Sequence, residues 1–246
     1  MTATTLIASR DRLGRNLTHG MLNSLGRSIV TGEFNGLTFP TEAELATRYS
    51  VSRSVIREAV KMLTAKGLLR ARPRQGTVVQ PETAWNLFDS DVLRWLLERK
   101  FSINLLRQFN ELRVCIEPAA AELAARNATP ASIAAIDAGF QRMIAAEAGD
   151  DDPLDADISF HVAVLKATGN QFFGQFQNVV ETALRTSIRF TNRFKGHTAS
   201  LPAHQSVKSA IEARDSAGAH TAMSLIIREA MLLIAEAERQ GDIEAA

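Results

Sequence analysis

A single cysteine, Cys115, is all the sulfur chemistry this 246-residue chain has apart from methionine. That rules out a disulfide framework and any paired-cysteine metal site. Cys115 stands among Leu112, Val114 and Ile116, which reads as a small apolar residue in a core. No apolar run approaches the length needed to cross a bilayer. The N-terminus, MTATTLIASRDR, lacks the hydrophobic core of a signal peptide, so the expected location is the cytoplasm. Residues 1 to about 12 are small and polar and are expected to be loose. Strand-like alternation is nearly absent after residue 80. No nucleophile with an adjacent base stands out anywhere, which argues against an enzyme.

An even balance of charge is also missing from each part of the chain. Residues 1–80 hold twelve Lys/Arg against five Asp/Glu, and the remaining 166 hold sixteen against twenty-two. The net charge of +1 therefore hides about +7 in front and −6 behind. A basic front joined to an acidic remainder suits a nucleic-acid reader with a second function.

The basic part is organised around Phe39 to Val79. Thr41 can cap a helix, with Glu44 completing a capping box, and Leu45, Ala46 and Tyr49 supply its apolar side. Ser50-Val51-Ser52 breaks that helix and Ser52 can cap the next, about Arg53 to Lys66. Val55, Ile56, Ala59, Val60, Met62 and Leu63 fill one arc of this second helix, while Arg53, Arg57 and Lys61 step around the other beside Ser54. Gly67 stops it. Leu68–Arg72 and Gly76–Gln80 read as two strands joined by Pro73-Arg74-Gln75. A helix with Arg and Ser near its start suits a major groove, and a basic hairpin beside it suits the flanking backbone. For one helix alone, a solvated basic face explains as much. An earlier helix, Asn16 to Thr31, carries Leu17, Met21, Leu22, Leu25, Ile29 and Val30 at helical spacing and braces the pair.

These residues resemble the winged helix-turn-helix of the GntR family of bacterial transcription regulators. The resemblance is carried by Pro40, Glu42, Glu44-Leu45, Val51-Ser52-Arg53, Ile56-Arg57-Glu58-Ala59, Leu63 and Gly67-Leu68. It implies DNA contacts from Ser52, Arg53, Ser54, Arg57, Lys61, Arg72, Arg74, Gln75 and Gly76. Two departures concern which operator is read. Ala43 stands where the family often has Arg, and Arg74 stands where the wing usually has Gly.

Gln80-Pro81-Glu82-Thr83 is the linker candidate, dividing a DNA-binding domain at 13–80 from an all-helical domain at 85–240. The fold class expected is mainly α, a winged helix-turn-helix followed by a bundle of six to seven helices. The bundle helices are expected at Asp89–Arg99, Asn104–Asn127, Pro130–Ala148, from Pro153 to Gly169, Gln171–Phe194, Pro202 to about Arg214, and Ala217–Gln240. Phe172, Phe173 and Phe176 are expected to fill its core, and Trp85 and Trp95 to anchor packing.

Asp157 and His161, four apart in one predicted helix, share a face and can share a divalent cation, though a plain surface pair fits the spacing equally. The region resembles the FadR-type C-terminal effector domain of the same family, through Glu111-Leu112-Arg113, Ile116-Glu117-Pro118, Asp157, His161, Gly169-Asn170, His204 and Ala210-Ile211. Trp85-Asn86 and Asp89 to Trp95 resemble members that respond to sugar acids. The resemblance implies Asp157, His161 and His204 as ligands of zinc or a similar ion. The family's fourth histidine would fall at position 226, which is Ile226, and His220 is too far away on the helix to replace it. Three ligands leave positions that water or an effector carboxylate could fill. Arg113 is the expected partner of that carboxylate, with a salt bridge to Glu117 as the other reading. Asn170, Arg185 and Arg189 are weaker pocket candidates.

The expectation is a homodimeric regulator that binds a double-stranded DNA operator and is released from it by a small carboxylate, with no membrane partner. A metal-dependent enzyme acting on a small acid and an effector-independent DNA-binding protein are the rivals.

Overall fold

The computed structural model describes residues 3–74, 76–99, 102–182, 184–185 and 199–240, with side chains described from residue 17. Its contacts separate the chain into two compact units, Met1–Arg99 and Lys100–Ala246.

In the first unit α1 (Ala3–Val30) packs its Leu22, Leu25 and Ile29 into the core. It begins at Ala3 rather than near Asn16, since nothing between the two positions stops a helix except the weak breaker Gly14. The helix-turn-helix follows as α2 (Glu42–Tyr49) and α3 (Arg53–Ala65). Thr41 caps α2 in a complete capping box with Glu44, and Ser50 makes the left-handed turn that ends it. Ser52 caps α3, which buries Ile56, Ala59 and Leu63. Met62, expected on the apolar arc, is 38% exposed at its edge.

Gly67 ends α3 at φ +83°, and a Cβ there would come within 2.4 Å of the Ala84 carbonyl oxygen. Only glycine therefore lets the chain after the wing cross so close to the recognition helix. The wing is an antiparallel pair, β1 (Leu69–Arg72) and β2 (Gly76–Val79), with Leu69 opposite Val79 and Arg72 opposite Gly76. Arg74 adopts φ +64° at its tip, the conformation that the family's usual glycine would favour.

A 3-10 turn at Glu82–Ala84 leads to α4 (Ser90–Arg99). Lys66 at the end of α3 pairs with Asp89 at 2.7 Å and Asp91 at 3.0 Å. Trp95 is buried against Gly26 of α1 and donates from its indole N–H to Asn23 at 3.1 Å. The helix at 90–99, grouped with the bundle in the sequence reading, thus packs within the first unit.

The second unit is a bundle of α5 (Ile103–Asn127), α6 (Pro130–Ala148), α7 (Pro153–Ala167), the short α8 (Gln171–Gln175), α9 (Leu201–Glu212) and α10 (Ser216–Gln240). Asp152 and Thr129 cap α7 and α6, each with proline in the first turn. Alanines 120, 121, 124 and 125 make the α5 face flat enough for close packing. A Cβ on Gly139 of α6 would meet the Phe160 backbone at 2.9 Å, so α6 and α7 touch at main-chain distance there.

Four expectations are corrected. Cys115 is exposed, because it lies one residue past Val114 on the outer side of α5 while Arg113 and Glu117 face inward. The helix expected over 171–194 is broken after Gln175, where Gly174 has weakened it, and resumes at 177–182, while 186–194 lie outside the described residues. Phe172 is 77% exposed, and only Phe173 and Phe176 pack on the core. Finally, Ser216–Arg239 is long and apolar enough to cross a membrane by length and composition alone. One face of that helix buries Ala219, Met223, Ile227, Ile234 and Ala237 in the bundle.

Candidate metal centre and DNA-reading surface

Three helices bring the buried polar cluster together. α7 supplies Asp157 and His161 one turn apart, α9 supplies His204, and α5 supplies Glu117 and Arg113. All five are under a tenth exposed. Phe160 lies edge-on to both imidazole rings and closes the cluster from water.

The nitrogen on the far side of each ring is spoken for. His204 Nδ1 is 2.8 Å from the Ser200 carbonyl oxygen, which can only accept, so the proton sits on Nδ1 and Nε2 is bare. His161 Nδ1 lies 2.6 Å from Glu117 Oε2, closer than a lone pair could approach a carboxylate, although the angle falls short of an ordinary hydrogen bond. Its Nε2 is therefore the nitrogen that faces Asp157, and without a cation it holds the second proton of the ring. Both Nε2 atoms point toward Asp157 Oδ1, at 3.4 Å from His161 and 3.0 Å from His204. Neither Asp157 Oδ1 nor His204 Nε2 has a satisfactory hydrogen bond.

Imidazole nitrogens facing a buried carboxylate oxygen need a proton or a cation between them. Ligand atoms bound about 2.0–2.1 Å from one tetrahedral ion sit about 3.3 Å apart, which is this spacing. The residues present therefore fit a divalent cation on Asp157, His161 and His204, the three atoms lying within 4.8 Å of one another. The same demand is visible in the proton equilibria. Burial opposes a charge on His161, but Glu117 and Asp157 outweigh it and lift the imidazole to about 9. Burial likewise favours neutral carboxyls, yet Arg113 and His161 hold Glu117 down to about 2, and the two histidines drive Asp157 well below the usual range.

Ile226 is half-buried against the apolar core and His220 is exposed, so α10 brings no fourth ligand. Arg113 donates to Glu117 at 2.5 Å and to Asn110 at 3.0 Å, which matches the salt-bridge reading of that residue. Asn170 caps α8 through Phe172 N–H, and Arg185 pairs with Asp155 and Glu181 at the surface. Asn170 and Arg185 do not converge on the cluster, and Arg189 lies outside the described residues. Sequence reasoning missed the contact of Glu117 with His161, giving Glu117 no role but that of salt-bridge partner to Arg113, and missed the Ser200 carbonyl altogether. Only the packing of α5 on α7 reveals the first, and the α9 N-terminus the second.

In the first unit the basic residues of α3 face solvent. Ser52 and Ser54 hydroxyls are 2.9 Å apart at the helix start. Arg53 has no partner among the described residues, Arg57 donates from Nε to Glu42 at 3.1 Å, and Lys61 pairs with Glu58. Arg72 and Arg74 are exposed along the wing with Gly76 at φ +78°, and Gln75 lies outside the described residues.

Known families match both units. Residues 22–79 match "Bacterial regulatory proteins, gntR family" and residues 108–229 match the FCD domain. The galactonate operon transcriptional repressor of Escherichia coli (strain K12) is 33% identical over 217 residues, covering 86% of this chain and 94% of that protein. The uncharacterized HTH-type transcriptional regulator YieP of the same organism is 30% identical, covering 87% and 94%. A solved Streptococcus agalactiae GntR is 27% identical, covers 79% of this chain and 88% of its own, and superposes with a TM-score of 0.48. The chain belongs to the GntR family of bacterial regulatory proteins, as a DNA-binding transcription regulator with an FCD domain rather than an enzyme.

Proposed function

We propose that this chain is a homodimeric cytoplasmic repressor, and that a small carboxylate of the sugar-acid class releases it from a double-stranded operator. The full-length similarity to a galactonate operon repressor supports that choice of effector class. The single observation that carries the sensing role is the convergence of two imidazole Nε2 atoms on the buried Asp157 oxygen.

In this reading Asp157, His161 and His204 hold one divalent cation, zinc or similar. Such an ion would supply a positive centre with coordination positions open to an anionic oxygen. Glu117 fixes the tautomer and plane of His161, Arg113 fixes Glu117, and Ser200 fixes His204. Phe160 and the alanine-lined core exclude water, which strengthens every charge interaction inside. Ile226 offers no ligand, so the protein contributes three. DNA contacts come from Ser52, Arg53, Ser54, Arg57, Lys61 and the wing residues Arg72, Arg74, Gln75 and Gly76. The effector must favour one arrangement of the protein over another, because equal affinity for both would shift nothing.

Elemental analysis of protein purified without chelator or affinity tag tests the metal, with about one divalent ion per chain expected. His161→Ala should lose it. Fluorescence anisotropy on a duplex from the chain's own upstream region, titrated with aldonic and uronic acids, tests the effector. Metal-free wild-type protein that still releases DNA at the same acid concentration would sink the assignment of the sensing site.

A further inference from the structure

One basic side chain on the DNA-facing side of α3 is held by another helix. Arg57 Nε donates to Glu42 Oε2 at 3.1 Å, across the turn and fifteen residues away in sequence. Its neighbours differ: Arg53 is free among the described residues, and Lys61 is paired only within its own helix. Glu42 is itself well placed, as the first residue of α2 directly after the Thr41 cap and its capping box with Glu44.

A guanidinium offers two edges for paired hydrogen bonds, one containing Nε and one made of the two terminal nitrogens. Glu42 takes Nε. The terminal nitrogens have no protein partner among the described residues, and they form a fork that matches guanine O6 and N7 in a major groove. A carboxylate on a surface that must approach phosphates weakens non-specific attraction. Its presence there makes sense where the direction of Arg57 matters more than added charge.

We propose that Glu42 is a positioning residue for sequence recognition, aiming the terminal fork of Arg57 at one guanine in each half-site. This rests on the reading of Arg57 as a base-contacting residue. The side-chain order that makes it work is the Nε contact, which leaves the outer edge of the guanidinium unoccupied and restricts its rotation.

The test uses the full-length protein and a randomised duplex library, with bound DNA sequenced for wild type, Arg57→Ala, Glu42→Ala and Glu42→Gln. Arg57→Ala should erase the preference at one base pair per half-site. Glu42→Ala should weaken the preference at that same pair about tenfold, leave the others unchanged, and bind random duplex at least as well as wild type. Glu42→Gln keeps the length and an acceptor oxygen, and should retain part of the preference. It also serves if Glu42→Ala lowers the thermal midpoint. If both Glu42 variants leave the Arg57 position as sharp as wild type, or blunt every position equally, the positioning role is wrong. If Arg57→Ala changes no position, the base-reading role fails first and the proposal falls with it.

Discussion

Glu117 on α5 and His161 on α7 meet at 2.6 Å, Oε2 to Nδ1, with Arg113 closing on the carboxylate from its other side at 2.5 Å. The three groups form a buried chain of alternating charge that ends at the His161 Nε2 facing Asp157. Partners of this kind fix ring orientation, and their loss commonly costs 10–100-fold in metal affinity. Glu117→Gln should therefore weaken metal binding by about that factor while Asp157, His161 and His204 are all retained. Competition against a chromophoric chelator measures it. Breaking the Arg113 pair leaves a buried charge uncompensated, so a loss of about 3–5 kcal/mol in stability should accompany the change. Unaltered metal affinity in a folded variant would remove Glu117 from the site.

The pH dependence of the metal-free fold should carry a signature of His161. Its imidazole is lifted from 6.5 to about 9 by Glu117 and Asp157 against the opposing effect of burial. A raised value means that the folded state binds the proton more tightly, so the contribution is full below about pH 6.5. It is lost as pH rises through about 9, and amounts to at most about 3 kcal/mol. Chelator-stripped protein should lose thermal stability across that window. Metal-loaded protein should lack the decline, because the cation takes the place of the proton. Thermal melts of both forms in matched buffers decide it.

Much of the first unit could be read locally, because its signals are local. The Thr41–Glu44 box, the Ser52 cap and the Gly67 stop each involve residues within a few positions of one another, and all stand where the sequence put them. Asp157 and His161 were legible for the same reason. What spacing could not give was anything fixed by one helix meeting another. Glu117 against His161, Glu42 against Arg57 and α4 against α1 all depend on packing between elements. Cys115 and Phe172 failed differently: apolar neighbours in sequence do not share a helix face, and a rotation of 100° per residue carried both outward.

Arg74 at the wing tip should trade fold stability against DNA affinity. Its φ of +64° costs a non-glycine residue about 1 kcal/mol, so Arg74→Gly should leave stability unchanged or slightly improved once the added freedom of the unfolded chain is offset. The same change removes one positive charge from the hairpin. If that charge meets a phosphate, the slope of log affinity against log salt should shrink by about one. Affinity titrations at several salt concentrations measure the slope, and an unchanged slope would take Arg74 out of the DNA contacts.

Gly139 gives a way to disturb the proposed metal site without touching a polar atom. It lies where α6 meets α7, and an added Cβ would sit 2.9 Å from the Cα of Phe160 and 3.0 Å from its backbone nitrogen. Those are main-chain atoms, so no side chain can swing aside and the helix itself has to shift. Such overpacking costs about 1–3 kcal/mol. The helix that moves carries Asp157 and His161, while His204 on α9 and Glu117 on α5 stay with their own elements. Gly139→Ala should thus lower metal affinity as well as thermal stability, with the DNA affinity of the metal-free protein unchanged. A variant that melts earlier yet binds metal as tightly as wild type would mean that α9 and α5 follow α7, and that the centre moves as one body.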